Sequence, residues 1–265
     1  MKKNGPIALG FSTLVILFML APLVIVCLVA FTPGNALSIP TNGFSLRWFE
    51  AVFRHSDLMT SFWNSLWLGL CSASIATAVS IPAGLALTRF EFKGRDWLNG
   101  LFLSPLIIPH LVLGVALLRM FSLIDARGSF AWLAMAHVVI IIPYSLRLVI
   151  AAAVGADRAC EQAALSLGAS RWTTFCRVTV PMLLPGITGG WLLAFISSFD
   201  EVTMSIFVTA PSTVTLPVRM YMYATESIDP LMAAASALMV AFTAAVMLLL
   251  DRLYGLDKIL VGGKT

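Results

Sequence analysis

The chain has 265 residues, 59% of them hydrophobic and 11% charged, with a mean hydropathy of +0.93. Such values lie well beyond those of soluble domains, so the chain is read as an integral membrane protein. Its formal net charge of +4 reflects topology and contact with anionic lipid, and no nucleic-acid partner is implied.

A helix needs about 20 apolar residues to cross a bilayer, and six runs qualify: 7–31, 62–87, 97–121, 130–153, 182–208 and 230–250. The expectation is an all-α membrane protein with six transmembrane helices, one domain over 1–265, because no polar segment is long enough to bury a separate core. Lys2 and Lys3 ahead of the first run imitate a signal peptide, but the apolar core is too long and lacks a small-x-small cleavage site, so a retained helix is expected. After it, "TPGN" and "PTNG" mark turns, and "SLRWFEAVF" predicts a short interfacial helix with Trp48 and Phe49 at headgroup level. The second run carries Gly69, Ala73, Ala76 and Ser80 on one helical face, a surface for close helix approach, and Pro82 predicts a kink. Ser104, Pro105, Pro109 and His110 interrupt the third run, and Ser197, Ser198, Asp200 and Glu201 interrupt the fifth. The sixth has its own small-residue face of Ala233, Ala234, Ser236 and Ala237.

With six spans both termini share one side. Placing them in the cytoplasm puts 12 of the 17 Lys and Arg there and leaves Arg47, Arg54, Arg119, Arg127 and Arg219 outside, the bias that cytoplasmic loops carry. Of the four cysteines, Cys27 and Cys71 lie in spans and Cys160 and Cys176 in the polar connection between the fourth and fifth. No Cys/His ligand spacing occurs, and no metal site is expected.

That connection, 155–181, is the longest internal polar segment. Asp157 is placed to cap a helix in which Ala163, Ala164 and Leu167 share one face, while Arg158, Glu161, Gln162 and Ser166 fall on polar directions. Gly168 supplies the left-handed residue that stops it. Ser170 then caps a second helix with Trp172, Phe175 and Val178, and Pro181 ends the phrase. Two readings are open from these residues alone: an amphipathic connector resting on its own bundle, or a pair of short helices that dock in a groove on a soluble partner.

The same residues resemble the cytoplasmic "EAA" loop of the permease subunits of bacterial ABC importers, written E-A-A-x3-G-x9-I-x-L-P. The matching positions read Gln162, Ala163, Ala164, Gly168, Val178, Val180 and Pro181, so Gln162 stands where the family has glutamate, with Glu161 beside it. "NSLWLGL", "ALTRFEFKGR", "PLIIPHLVLGVALL" and "SFDEVTMSIFV" extend the likeness over nearly the whole chain, and together they look like the second permease of spermidine/putrescine-type importers. The resemblance implies a type I importer bundle in the bacterial cytoplasmic membrane. It assigns ATPase coupling to Glu161, Gln162, Ala163, Ala164, Leu167, Gly168, Ala169, Phe175 and Pro181. The implied partners are an ABC ATPase dimer at the loop, a second permease (a heterodimer, with a homodimer as the alternative), and a periplasmic or extracellular substrate-binding protein. ATP and Mg would be bound by the ATPase, since G-x-x-x-x-G-K-[ST] does not occur here.

Within the spans, Asp200 and Glu201 are the costliest residues, and carboxylates there face a partner, a cavity or water. Counted from the cytoplasmic start of the fifth run they lie about 18 residues in, which at about 1.5 Å per residue puts them in the outer half of the bilayer, where a descending cation would meet them. The pair serves equally well as a cap on a helix break, or as a partner of Ser197, Ser198 or Arg119, without touching substrate. Ser198, Ser104, His110 and Tyr144 are further pathway candidates, with Asn64 behind them. A secondary transporter would show inverted repeats, which are not found. A membrane enzyme would need a convergent set, but His55, His110 and His137 are scattered along the chain and no H-E-x-x-H or G-x-S-x-G occurs. Importer permeases for other small solutes, such as an amino-acid derivative, an opine or a phosphonate, remain as alternatives to a polyamine carrier.

Overall fold

A computed structural model describes residues 6–39, 43–227 and 229–254. Lys2, Lys3, Lys258 and Lys264, used in the orientation argument, lie outside the described residues. Every regular element there is helical. Five helices are long and apolar enough to cross a membrane, and a sixth span is completed if two helices joined at a 101° bend are counted as one.

The chain divides into two compact units, the first running to Thr60 and taking up Arg219–Ala244, the second Ser61–Val218 with the stretch from Ala245. In the first, α1 (Pro6–Val29) continues through Pro22 and leaves nearly all its apolar side chains exposed within the chain. The following turn meets α2 (Arg47–Arg54). Arg47 donates to the Pro33 carbonyl (3.2 Å) and to Asn35 Oδ1 (2.6 Å), and Trp48 Nε1 donates to the Gly34 carbonyl (3.1 Å). Phe49 packs on Phe31 with ring centroids 4.9 Å apart. Trp48 and Phe49 are therefore half-buried on the preceding turn, because its carbonyls need donors and Phe31 needs cover, while Phe44 and Phe53 nearby are exposed.

The second unit is built on α3 (Ser56–Arg89), α6 (Phe130–Gly155) and α9 (Val180–Phe199). Close backbone approach explains their packing. A Cβ on Gly186 would lie 2.5 Å from the Leu148 carbonyl oxygen, and one on Gly190 would lie 3.0 Å from that of Ser145. The small face of α3 behaves as its spacing predicts: Ala73, Ala76 and Ser80 are buried, and Gly69 abuts the Phe195 ring. Pro82 lies inside α3 and Pro143 inside α6, and neither ends its helix.

Two of the expected spans are broken. In place of one helix over 97–121 there are α4 (Arg95–Leu103), a 3-10 turn at Ser104–Leu106, and α5 (His110–Leu123). Pro109 has no amide hydrogen to continue the ladder and drives Ile108 away from helical geometry. In place of 182–208, α9 stops at Phe199 and a four-residue helix α10 (Ser205–Val208) follows. The 208–230 connection contains a further helix, α11 (Leu216–Glu226), whose Leu216 amide donates to Ser65 Oγ at 2.7 Å. α12 (Pro230–Tyr254) closes the described chain, with Asp229 Oδ1 accepting from the Leu231 amide at 3.0 Å.

Candidate functional site

Between α6 and α9 the polar phrase folds as its caps dictate. Asp157 Oδ1 accepts from the Ala159 amide (2.8 Å) at the start of α7 (Arg158–Ser166), and Ser170 Oγ accepts from the Thr173 amide (3.1 Å) at the start of α8 (Arg171–Thr174). Between them Gly168 takes φ +86°, with the Ala169 amide bonded to the Ala164 carbonyl and the Gly168 amide to that of Leu165. This is a complete Schellman stop, in which the left-handed residue satisfies the last carbonyls of α7.

α7 has an inner and an outer face. Inward, Glu161 takes a two-pronged hydrogen bond from Arg89, the last residue of α3, at 2.6 and 2.8 Å. It accepts a third from Thr179 Oγ1 at 2.7 Å, in the π-helical turn Phe175–Thr179 that leads into α9. Burial pushes the Glu161 carboxyl up, but the hydrogen bonds from Arg89 and Thr179 and the charges of Arg89 and Arg158 outweigh it and hold the group below the ordinary glutamate value. Outward, Gln162 and Ala163 are exposed, Leu167 is 88% exposed and Trp172 72%. Ala164, Ala169 and Phe175 are half-buried, and Pro181 is exposed at the foot of α9.

At the other end of α9 the two helix breaks meet. Glu201, 8% exposed, accepts from the Met204 amide through Oε1 (2.7 Å) and pairs through Oε2 with His110 Nδ1 (2.9 Å) at the first residue of α5. One turn along α5, a Cβ on Gly114 would come within 3.1 Å of Met204 Cα. His137 of α6, fully buried, joins Ser198 Oγ (2.8 Å) to Ser205 Oγ (3.0 Å), one residue on each side of the break in α9. A neutral imidazole has one donor and one acceptor nitrogen, and the hydroxyls can satisfy both. Asp200, by contrast, is exposed, and among the described residues only its amide is engaged, in closing α9.

The proposed pathway residues are thus separated. Glu201, His110 and Ser198 belong to the bonded layer, and Asp200 stands at its edge. Ser104 donates to the Leu101 carbonyl, Tyr144 is half-buried on α6 outside this set, and Asn64 donates to the Ser212 and Val214 carbonyls. Arg119 is exposed, and the partner of Glu201 is His110. The histidines that looked scattered are not: two of the three bind the same break. His137 was the residue to suspect, since an ionisable group in the middle of an apolar run is itself the signal. Arg89 and Thr179 carried no comparable signal, lying 72 and 18 positions from Glu161.

The profile of the binding-protein-dependent transport system inner membrane component family matches residues 79–256. The chain belongs to this family. Among its relatives, the spermidine/putrescine transport system permease protein PotC of Escherichia coli (strain K12) is 27% identical over 94% of each chain. The putrescine transport system permease protein PotI of the same strain is 30% identical over 84% of this chain and 79% of that one. A bacterial ABC transporter involved in the import of the acidic polysaccharide alginate has the same fold, with a TM-score of 0.72 at 13% identity over 95% of this chain and 99% of the other. The protein is therefore a multi-pass permease component of an ABC importer, with the helical bundle of the type I class. The 155–181 connection, whose sequence resembles the EAA loop, carries the two capped helices, and the broken-helix layer lies about 30 Å away along α9, from its 20 residues at about 1.5 Å each.

Proposed function

We propose that the permease seats its 155–181 loop on an ABC ATPase dimer that binds ATP and Mg, and that its α9 break borders the path of a small organic cation of polyamine type. The observation that carries the docking reading is the outer face of α7 and α8: Leu167 and Trp172 are left uncovered while the opposite face is bonded to the bundle. A connector resting on its own bundle would bury those side chains. Gln162 faces the partner as a neutral residue, so an ionic contact at that position is absent and the fit is apolar. Both termini are cytoplasmic in this reading, a second and non-identical permease completes the pathway, and an external binding protein delivers the solute.

The cation reading is supported by the cargo named for PotC and PotI and by Asp200, an exposed carboxylate at the break. A second reading, another small solute, is favoured by the pairing of Glu201 with His110, which leaves one free carboxylate in place of two. Co-purification with the ATPase tests docking. Gly168→Asp meets no neighbouring atom and strains the positive φ only mildly, since Asp tolerates that region better than most residues, but it sets a carboxylate beside the uncovered apolar side chains of α7 and α8. Loss of the ATPase and of substrate-stimulated hydrolysis is expected, whereas an intact complex with normal hydrolysis removes the docking assignment. The ligand carried by the co-purified binding protein decides between the two cargo readings.

A further inference from the structure

Glu161 is not on the face that a partner would meet. Its carboxylate is 15% exposed and ties three elements at one point: the end of α3 through both terminal nitrogens of Arg89, α7 itself, and the π-helical turn through Thr179. The two-pronged geometry resists rotation as well as separation, because a planar guanidinium and a planar carboxylate must stay coplanar to keep both bonds. Further ties lie beside it. Arg158, next to the Asp157 cap, donates to the Thr88 carbonyl at 3.3 Å, and Arg95 donates to the Leu87 carbonyl at 2.7 Å. Thr179 is buried and immediately precedes α9, whose far end is the break held by Glu201, His110 and His137. A π-helical turn at that junction sets the phase of α9 relative to α8, and such turns recur at functional sites.

We infer that Glu161 is the positioning residue of the loop, the carboxylate through which a displacement of α7 and α8 moves α3 and α9 as one body and so reaches the broken-helix layer. The inference rests on the docking reading above. It differs from it in assigning Glu161 to transmission and leaving attachment to the outer face. Replacing the carboxylate therefore detaches the motion of the loop from that of α9 without removing the surface a partner grips.

The test uses the complete complex with its ATPase and a reporter cysteine at Ile206, half-exposed on α10. Maleimide labelling of the peptide carrying residue 206 is followed by mass spectrometry, with and without ATP and vanadate. In the parent complex the labelling rate changes on trapping. In Glu161→Gln the ATPase is retained, and the trapping-dependent change shrinks by roughly tenfold, the scale set by losing one charge-assisted pair. The double exchange Arg89→Glu with Glu161→Arg restores it, which a merely structural loss at either site would not do. A full change in Glu161→Gln, or none in the parent, overturns the inference. Loss of the ATPase from both Glu161→Gln and the double exchange also overturns it, by moving Glu161 to the docking face. Failure of the docking reading is seen separately, as retention of the ATPase by Gly168→Asp.

Discussion

Asp200 and Glu201 are neighbours in opposite surroundings. Glu201 has both carboxylate oxygens engaged, by the Met204 amide and by His110, whereas Asp200 has none so engaged and is open. Glu201→Ala leaves the Met204 amide and the His110 ring without acceptors, at about 1–3 kcal/mol for each group that stays buried. The detergent-solubilised complex is expected to melt several degrees lower. Asp200→Asn leaves the melting temperature alone and, on the proposed cation reading, lowers uptake of labelled putrescine; uptake equal to the parent's removes Asp200 from the path. At the loop, the Glu161 carboxyl is held below the ordinary glutamate value, so the folded state favours its charged form. The stabilisation is in place above the unfolded pKa and is lost as pH falls through the folded one. The protection of the α7 amides, measured against the intrinsic exchange rate at each pH, should therefore fall as the pH is taken below about 4.3, the ordinary glutamate value. In Glu161→Gln the protection is lower and nearly flat with pH, and an identical acid response in that variant excludes Glu161 as the titrating group.

Elements in this permease are set by close backbone contact as much as by apolar length. Gly186 faces a backbone oxygen that cannot swing away, so Gly186→Ala overpacks the α6–α9 contact, with an expected cost of about 1–3 kcal/mol. Gly100→Ala on α4 meets nothing within 4 Å and is neutral or stabilising by about 0.5–1 kcal/mol. The pair is compared by thermal melting of the purified complex, and equal melting temperatures refute the packing argument. Apolar run length was enough to locate α1, α3, α6, α9 and α12, and short-range rules were enough for the Asp157 and Ser170 caps and the Gly168 stop, since each depends on residues within a few positions. Pro109 marked the first break in advance. The break after Phe199 has no proline or glycine, and it is held by the bonds of His110 to Glu201 and of His137 to Ser198 and Ser205, pairs 61 to 91 positions apart. Ser198, Asp200, Glu201 and His137 marked the interruption by being polar in apolar runs, but which of them pair across the fold leaves no local trace, and the same holds for the joining of Glu161 to Arg89.

For the whole molecule, the loop, Arg89, Arg95, Arg158, Arg171 and Arg177 gather at one end of α3, α6 and α9. In the proposed orientation that cluster lies on the cytoplasmic side, where cationic residues accumulate. The exposed thiols of Cys160 and Cys176 report which side that is. In right-side-out vesicles a membrane-impermeant maleimide should leave both unlabelled, and in inside-out vesicles it should label both. Assembly adds a second distinction within the same measurement. If the ATPase covers the α7–α8 face, its presence slows labelling of these thiols, and stripping the ATPase with urea restores the rate. Labelling from the outside reverses the topology and, with it, the assignment of the loop to an ATP-driven partner, because ATP is supplied from the cytoplasm. Labelling from the inside with no protection by the ATPase keeps the topology and moves the docking surface elsewhere on the permease.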